Sequence, residues 1–327
     1  MINSRRHFVV TSAITLASVP LVARFAGAQA KSPFRVAVIS DEISQDFDFA
    51  CSIIAGEFGL KWVELRGMWG KNLQNLDQAE IDKAQKILAK HDLQVTDIAS
   101  PLYKTDWPGA PRSRFSPTQP DTKFDSFKAD FSFKQQQDVL ERSVALSRQF
   151  KTNLVRCFDF YRLADVAPHR AAINATLQHA AETCGRQGVL LVLENEFECN
   201  TATGREAAAT LGGVPSPHLM LNWDAGNAVM AGELDAYPGG WDALPKQRIG
   251  HCHVKNAIKG ADGKIQWSPV GSGLVDWTAQ FQALYRSGYR KAVSLETHWR
   301  GAVTPEESTR QSWQGMKKAL AASSTLA

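Results

Sequence analysis

Two histidines, His251 and His253, stand two residues apart within residues 248–256, Arg-Ile-Gly-His-Cys-His-Val-Lys-Asn. The run is apolar and small enough to form a buried strand, and at a strand's period of two both imidazoles face the same way. Parallel barrels are filled with branched aliphatic side chains, so two imidazoles there need polar partners. Taken alone, each is most simply a hydrogen-bonded core histidine. Acids at the ends of neighbouring apolar runs change that reading. Residues 189–193 lead into Glu194-Asn195-Glu196-Phe197-Glu198, residues 219–223 into Asp224-Ala225-Gly226-Asn227, and residues 292–295 into Glu296-Thr297-His298-Trp299.

Any one of these acids could simply cap the next helix or pair with a base. Together, Glu194, Asp224 and Glu296 with His253 place three carboxylates and one imidazole on four consecutive strands, and such a group of like charges repels itself unless a cation is present. Three oxygen donors and one nitrogen suit Mn²⁺ or Mg²⁺, with Co²⁺ or Zn²⁺ as alternatives. Cys252 should point the other way, into a helix layer, and act in packing.

The elements that must hold these residues alternate along the chain. Short β-rich runs at 34–40, 62–65, 95–99, 154–158, 189–193, 219–222, 249–254 and 292–295 are separated by helical patterns at 47–58, 79–90, 133–150, 166–186, 205–211, 241–244, 277–287 and 305–321. Asp77 is placed to cap the second helix, Gly188 and Gly288 to follow the fourth and seventh, and Pro305 with Glu306 and Glu307 to open the last. Eight strands in this order imply an α/β fold, a (β/α)₈ TIM barrel with a long loop after strand 3, at residues 101–132. Tyr103, Trp107, Phe115 and Phe124 in that loop are read as an ordered cover over the pocket.

The sequence resembles the sugar phosphate isomerase/epimerase superfamily, the xylose isomerase-like TIM barrels, from Phe34 to about Lys318. The carriers are Leu193-Glu194-Asn195, Asp224-Ala225-Gly226-Asn227, His251-Cys252-His253-Val254-Lys255-Asn256 and Leu295-Glu296. The resemblance implies that Glu194, Asp224, His253 and Glu296 bind the metal. It departs from the family at Asn227, where a histidine is frequent, and at Asn256, where an aspartate is frequent. Both changes bear on substrate contacts and leave the ligands intact.

Chemistry follows from the cluster. Glu194 and Glu296 are the expected catalytic pair, one abstracting and the other returning a proton beside a sugar carbonyl through an enediolate intermediate. Lys255 would stabilise oxyanion charge, and Glu198, Asn227, His251, Asn195, Arg66 and His298 are candidate substrate contacts. Each has a structural alternative; Arg66, for instance, could pair with Glu64 or another strand-end acid. His251, one pleat deeper than His253, reads as support. Opposite-face proton return inverts the centre and gives an epimerase, same-face return through one base gives an isomerase, and loss of a β-substituent from the same intermediate gives a lyase or hydratase acting on a keto-sugar or 3-keto-glycoside. A non-catalytic sugar-binding barrel is a third reading.

Residues 1–30 resemble a twin-arginine export signal: Ser4-Arg5-Arg6-His7-Phe8, a moderately apolar run, and Ala28-Gln29-Ala30 as a cleavage pattern. The expected organisation is thus a signal peptide followed by one barrel over 31–327, periplasmic or secreted, with no stable membrane insertion once cleaved. That address favours an unphosphorylated sugar as the small-molecule partner. Apart from Arg5, Arg6 and Arg24 in the leader, the chain is close to neutral, and its eight histidines include His7, His91, His169 and His179 away from the cluster. Nucleic acid is therefore not an expected partner, and an abasic-site endonuclease is disfavoured. Five cysteines without C-x-x-C spacing argue against a disulfide framework. Composition does not decide the oligomeric state.

Overall fold

In the computed structural model, which describes residues 32–116 and 131–323, eight parallel strands form one sheet. They are β1 Arg35–Val38, β2 Trp62–Leu65, β3 Gln94–Leu102, β4 Leu154–Cys157, β5 Leu190–Glu194, β6 Leu219–Asp224, β7 Ile249–Val254 and β8 Ala292–Leu295. Each pairs with its sequence neighbour, β8 returns to pair with β1, and a parallel bridge between Ile39 and Glu64 joins β1 to β2. All eight expected strands are present, and the fold is a TIM barrel. The expected leader, residues 117–130 with Phe124, and the last four residues lie outside the described residues.

The helices follow their sequence signals. α1 Phe47–Ser52 passes into a π turn at Ile53–Glu57, and α2 Gln78–Lys90 opens on Asp77 in a capping box with Glu80. α3 Gln136–Gln149, α4 Arg170–Gly185 and α5 Gly204–Gly213 follow, α5 capped by Thr203. α6 Ala225–Met230 and the short α7 Trp241–Ala243 precede α8 Trp277–Arg286 and α9 Pro305–Ala322, the last with Thr304 as its cap and proline in its first turn. Gly188 and Gly288 take the left-handed conformation that ends their helices, with φ of 73° and 84°. No helix among the described residues is long and apolar enough to cross a membrane.

Three elements escape the sequence pattern. α6 begins directly on Asp224, whose side chain caps it by accepting from the Asn227 amide. Two antiparallel hairpins also form, Gly67–Met68 with Lys71–Asn72 after β2, and Asn256–Lys259 with Ile265–Ser268 after β7. They are too short to register as periodic patterns.

The barrel interior is layered. Leu154, Val192 and Met220, with Leu190 against them, form a small apolar cluster separate from the main core. Two residues further along the same strands and on the same face stand Arg156, Glu194 and Asn222, with Asp224 beyond, so the inward face is apolar below and polar above. The main core, between sheet and helices, includes Cys252, as its outward parity requires. A register shift between Leu221 and Asn222 places Ile249 and His251 opposite them, leaving Gly250 as an extra residue on β7. A Cβ at Gly250 would meet Met220 Cβ at 2.7 Å and Val192 Cγ1 at 2.9 Å. Gly250→Ala is therefore expected to lower stability by about 1–3 kcal/mol through overpacking, measured by urea unfolding.

Candidate metal centre

The strands deliver the four sequence-derived ligands to one point. One donor atom each from Glu194, Asp224, His253 and Glu296 lies within 4.8 Å of the others, and all four residues are buried. His253 Nδ1 is 3.1 Å from Glu194 Oε1, 3.0 Å from Glu296 Oε2 and 3.8 Å from Asp224 Oδ2. Its other nitrogen, Nε2, donates to Glu64 Oε1 at 2.9 Å. That acid, fully buried on β2, fixes the ring so that Nδ1 faces the carboxylates, the arrangement that orients metal-binding histidines.

Three cations enter from the side. Arg156 on β4 pairs with Glu194 Oε2 at 3.1 Å, and Arg66 donates to Glu296 Oε1 at 2.8 Å, to Glu42 Oε1 at 2.6 Å and to Asp41 Oδ2 at 2.9 Å. Arg66 thus joins a ligand to two acids after β1 and does not pair with Glu64. Lys255 Nζ lies 2.5 Å from Glu296 Oε2, 3.0 Å from Asp224 Oδ2 and 3.8 Å from Glu194 Oε1. The lysine is 1% exposed, and its chain crosses Gly226, where a Cβ would come within 2.4 Å of Lys255 Cγ. Repulsion among the carboxylates is therefore relieved partly within the protein, which the spacing of acids alone did not disclose.

The remaining expected residues divide by position. Asn227 is buried; its amide nitrogen donates to Glu194 Oε1 at 3.1 Å and to the Asn195 carbonyl at 3.0 Å, and its oxygen accepts from Lys255 at 3.3 Å. Asn195 ties β5 to β6, donating to the Asp224 and Ala202 carbonyls and accepting from the Asp224 amide. His251 lies below, 3.1 Å from Asn222 Oδ1 and 3.4 Å from Asp97 Oδ1. Glu198 and His298 are half-exposed at the mouth, Glu198 paired with Lys104 at 3.1 Å and His298 3.1 Å from Glu296 Oε1. Trp107 packs edge-on against Phe133 and Phe160, and Tyr103 meets Phe160 at 5.0 Å, so these two belong to the wall beside β4.

Burial and charge set the protonation states. Burial would raise the Glu194 carboxyl, but His253 and Arg156 overcome it and hold it at about 2. Burial likewise opposes ionisation of Glu296, which Lys255, His298 and His253 hold well below the usual range. For Asp224 burial wins over Lys255, and the group rises to about 6. Burial lowers His251 to about 4, leaving it neutral at pH 7. Burial also disfavours the charged form of His253, yet Glu64, Glu194 and Glu296 raise it well above its ordinary value.

These residues fit a divalent cation. One imidazole nitrogen and three carboxylates converge, and Asp224 Oδ2 and Glu296 Oε2 are buried without a hydrogen bond of ordinary geometry, faced only by cationic nitrogens. Comparison with known proteins agrees with this architecture. The family model described as "Xylose isomerase-like TIM barrel" matches residues 54–319. The chain belongs to that family.

A xylose isomerase-like TIM barrel protein from Mycobacterium smegmatis in complex with magnesium is 15% identical, with 91% of this chain and 98% of that one covered at a TM-score of 0.62. A probable 3-DHS dehydratase from Bacillus anthracis is 20% identical over 86% and 97%, TM-score 0.61. A 3-keto-D-glucoside 4-epimerase from E. coli is 15% identical over 88% and 100%, TM-score 0.59. At these identities the likeness is one of fold. No curated protein matches the sequence.

Within this xylose isomerase-like barrel, the sequence pattern passed over Glu64 and Arg156. The signal was there: each is a lone charged residue on the inward parity of an apolar strand, Trp-Val-Glu-Leu and Leu-Val-Arg-Cys. Glu64→Ala is expected to weaken Mn²⁺ binding by about 10–100-fold in titration calorimetry, because the ring is no longer held. Lys255→Met should act oppositely, tightening Mn²⁺ binding by about tenfold by removing a positive charge from the donor oxygens. It should also lower the melting temperature of the EDTA-treated protein, where the carboxylates lose their nearest counter-charge.

Proposed function

We propose that this protein is a divalent-metal-dependent isomerase or epimerase that acts on an unphosphorylated sugar or keto-sugar through an enediolate. The observation that carries the reading is the convergence of Glu194, Asp224, His253 and Glu296 at the C-terminal ends of four successive strands. Family membership and relatives that include an epimerase and a probable dehydratase support a sugar-modifying enzyme. The twin-arginine-like leader supports export to the periplasm or beyond, where unphosphorylated sugars are the available class.

Glu194, Asp224, His253 and Glu296 would hold the ion, Mn²⁺ or Mg²⁺ by donor type. When bound, a divalent cation supplies Lewis-acid polarisation of neighbouring sugar oxygens. Glu194 and Glu296 arrive from β5 and β8, on either side of β6 and β7, and both are held ionised before substrate arrives; one would take the proton from carbon in that state, and the other, once protonated from solvent, would return one. Arg156 behind Glu194 and Arg66 behind Glu296 fix the two carboxylates in place. His298, half-exposed beside Glu296, connects that acid to solvent for proton exchange. Lys255 places an ammonium where oxyanion charge develops. The same ammonium favours a second reading, a lyase or hydratase, since it can protonate a departing oxygen.

Proton NMR in D₂O, with Mn²⁺-loaded protein and a panel of keto-sugars and 3-keto-glycosides, tests both readings. Deuterium entry with inversion of the carbon supports the epimerase, and release of an alcohol or water supports elimination. Absence of both across the panel would sink the enediolate route. Glu296→Gln is expected to reduce turnover at least about 100-fold, the scale of a lost general base, while sugar binding persists. A non-catalytic binder would show no metal-dependent turnover in the unaltered protein.

A further inference from the structure

Directly over Lys255 stands Trp267, carried by the hairpin after β7, its ring centroid 5.3 Å from the ammonium. Trp267 meets His298 edge-on at 5.1 Å and 84°. On its other side it meets Phe197 at 6.1 Å and 69°, and Phe197 in turn meets Phe115 at 6.1 Å and 88°. Four half-buried rings from the loops after β8, β7, β5 and β3 therefore form one continuous row along the mouth. His298 anchors one end of it to Glu296.

The row is not required by the core. Phe115, Phe197 and His298 stand outside the main apolar cluster, and Trp267 only packs at its margin. Polar groups flank it: Glu196 and Glu198, on either side of Phe197, share Lys104 at 3.2 and 3.1 Å. Glu196 Oε1 is buried and accepts no hydrogen bond. Aromatic faces beside carboxylates suit a saccharide, whose C–H faces stack on rings while its hydroxyls donate to acids. Successive rings stand 5.1, 6.1 and 6.1 Å apart and come from four different loops, so aromatic surface continues beyond Trp267, the ring over Lys255.

We propose that this row is a second subsite, and that the substrate is a glycoside whose additional ring stacks on Trp267 and Phe197 while the reacting sugar lies over Glu194, Asp224, His253 and Glu296. The inference rests on the sugar-enzyme reading above and narrows its substrate class, from sugars and glycosides in general, to glycosides that carry a second ring. In this arrangement Trp267 and Phe197 determine specificity and take no part in proton transfer.

Binding of methyl and phenyl D-glucopyranosides, both anomers, to the Mn²⁺-loaded and the EDTA-treated full chain tests it by calorimetry and saturation-transfer NMR. A phenyl glycoside is expected to bind at least about tenfold more tightly than its methyl counterpart, with saturation strongest on the phenyl protons. Trp267→Ala and Phe197→Ala should each bring that ratio towards one. Trp267→Leu keeps an apolar side chain against the core margin, and the ratio should fall there too, which gives the answer if the alanine variant does not fold. Equal affinities in the unaltered protein, no binding of any of the four, or a ratio that survives both Trp267→Leu and Phe197→Ala would overturn the proposal. The readout needs no turnover, so failure of the deuterium experiment and failure of this one are separately visible.

Discussion

His253 reaches in two directions from the middle of β7, and the polar interior depends on that reach. One ring nitrogen is held by Glu64 at 2.9 Å, and the other faces Glu194, Glu296 and Asp224. Neither side is stable alone. A buried carboxylate without a counter-charge loses several kcal/mol of solvation, and a buried imidazolium does the same. Here the two desolvated classes compensate each other across one ring, with Arg156, Arg66 and Lys255 completing the balance at the edges. Removing either kind of charge leaves the other uncompensated, so the cluster is a single electrostatic unit.

That unit needs a rigid seat, and the barrel supplies it by dividing its inward face. Leu154, Val192 and Met220 close the lower part, while the next inward residues on the same strands are Arg156, Glu194 and Asn222. The extra residue at Gly250 shifts β7 against β6 so that His251 pairs with Asn222 and His253 with Asp224. Asp224 then serves two purposes: one oxygen caps α6 through the Asn227 amide, and the other remains for the site. Capping and ligation are compatible because a carboxylate has two oxygens and a strand end that starts a helix can present both.

Family membership and fold do not by themselves choose a reaction, because one scaffold carries epimerases, dehydratases and other activities on different loops. The site must make that choice. Its buried cluster of Glu194, Asp224, His253 and Glu296 offers donors that suit a divalent cation, whereas its rim, the row from His298 to Phe115, belongs to the loops after β8, β7, β5 and β3. In the function proposed above, chemistry would sit on the strand ends and specificity on the connections beyond them.

The eight strands, most helix boundaries and the four residues that converge in the candidate metal centre were legible in the sequence, since each rests on a local pattern: apolar runs of strand length, capping residues such as Asp77 and Thr304, and acids at strand ends. His251 and His253 were separated by the acid cluster and the family resemblance, with His251 one pleat deeper on the same face. Other features came only with the tertiary structure. Glu64 and His253 are 189 positions apart, and Arg66 and Glu296 are 230 apart; no local periodicity records such pairs. Asn227 and Asn195, expected as substrate contacts, are also tied within the protein, Asn227 donating to Glu194 and Asn195 to the Asp224 carbonyl, links across strands that no local pattern records. Three carboxylates on neighbouring strands announce that a cation is needed. Which cations the chain already provides is decided only when β2, β4 and β7 bring Arg66, Arg156 and Lys255 to the same point in space.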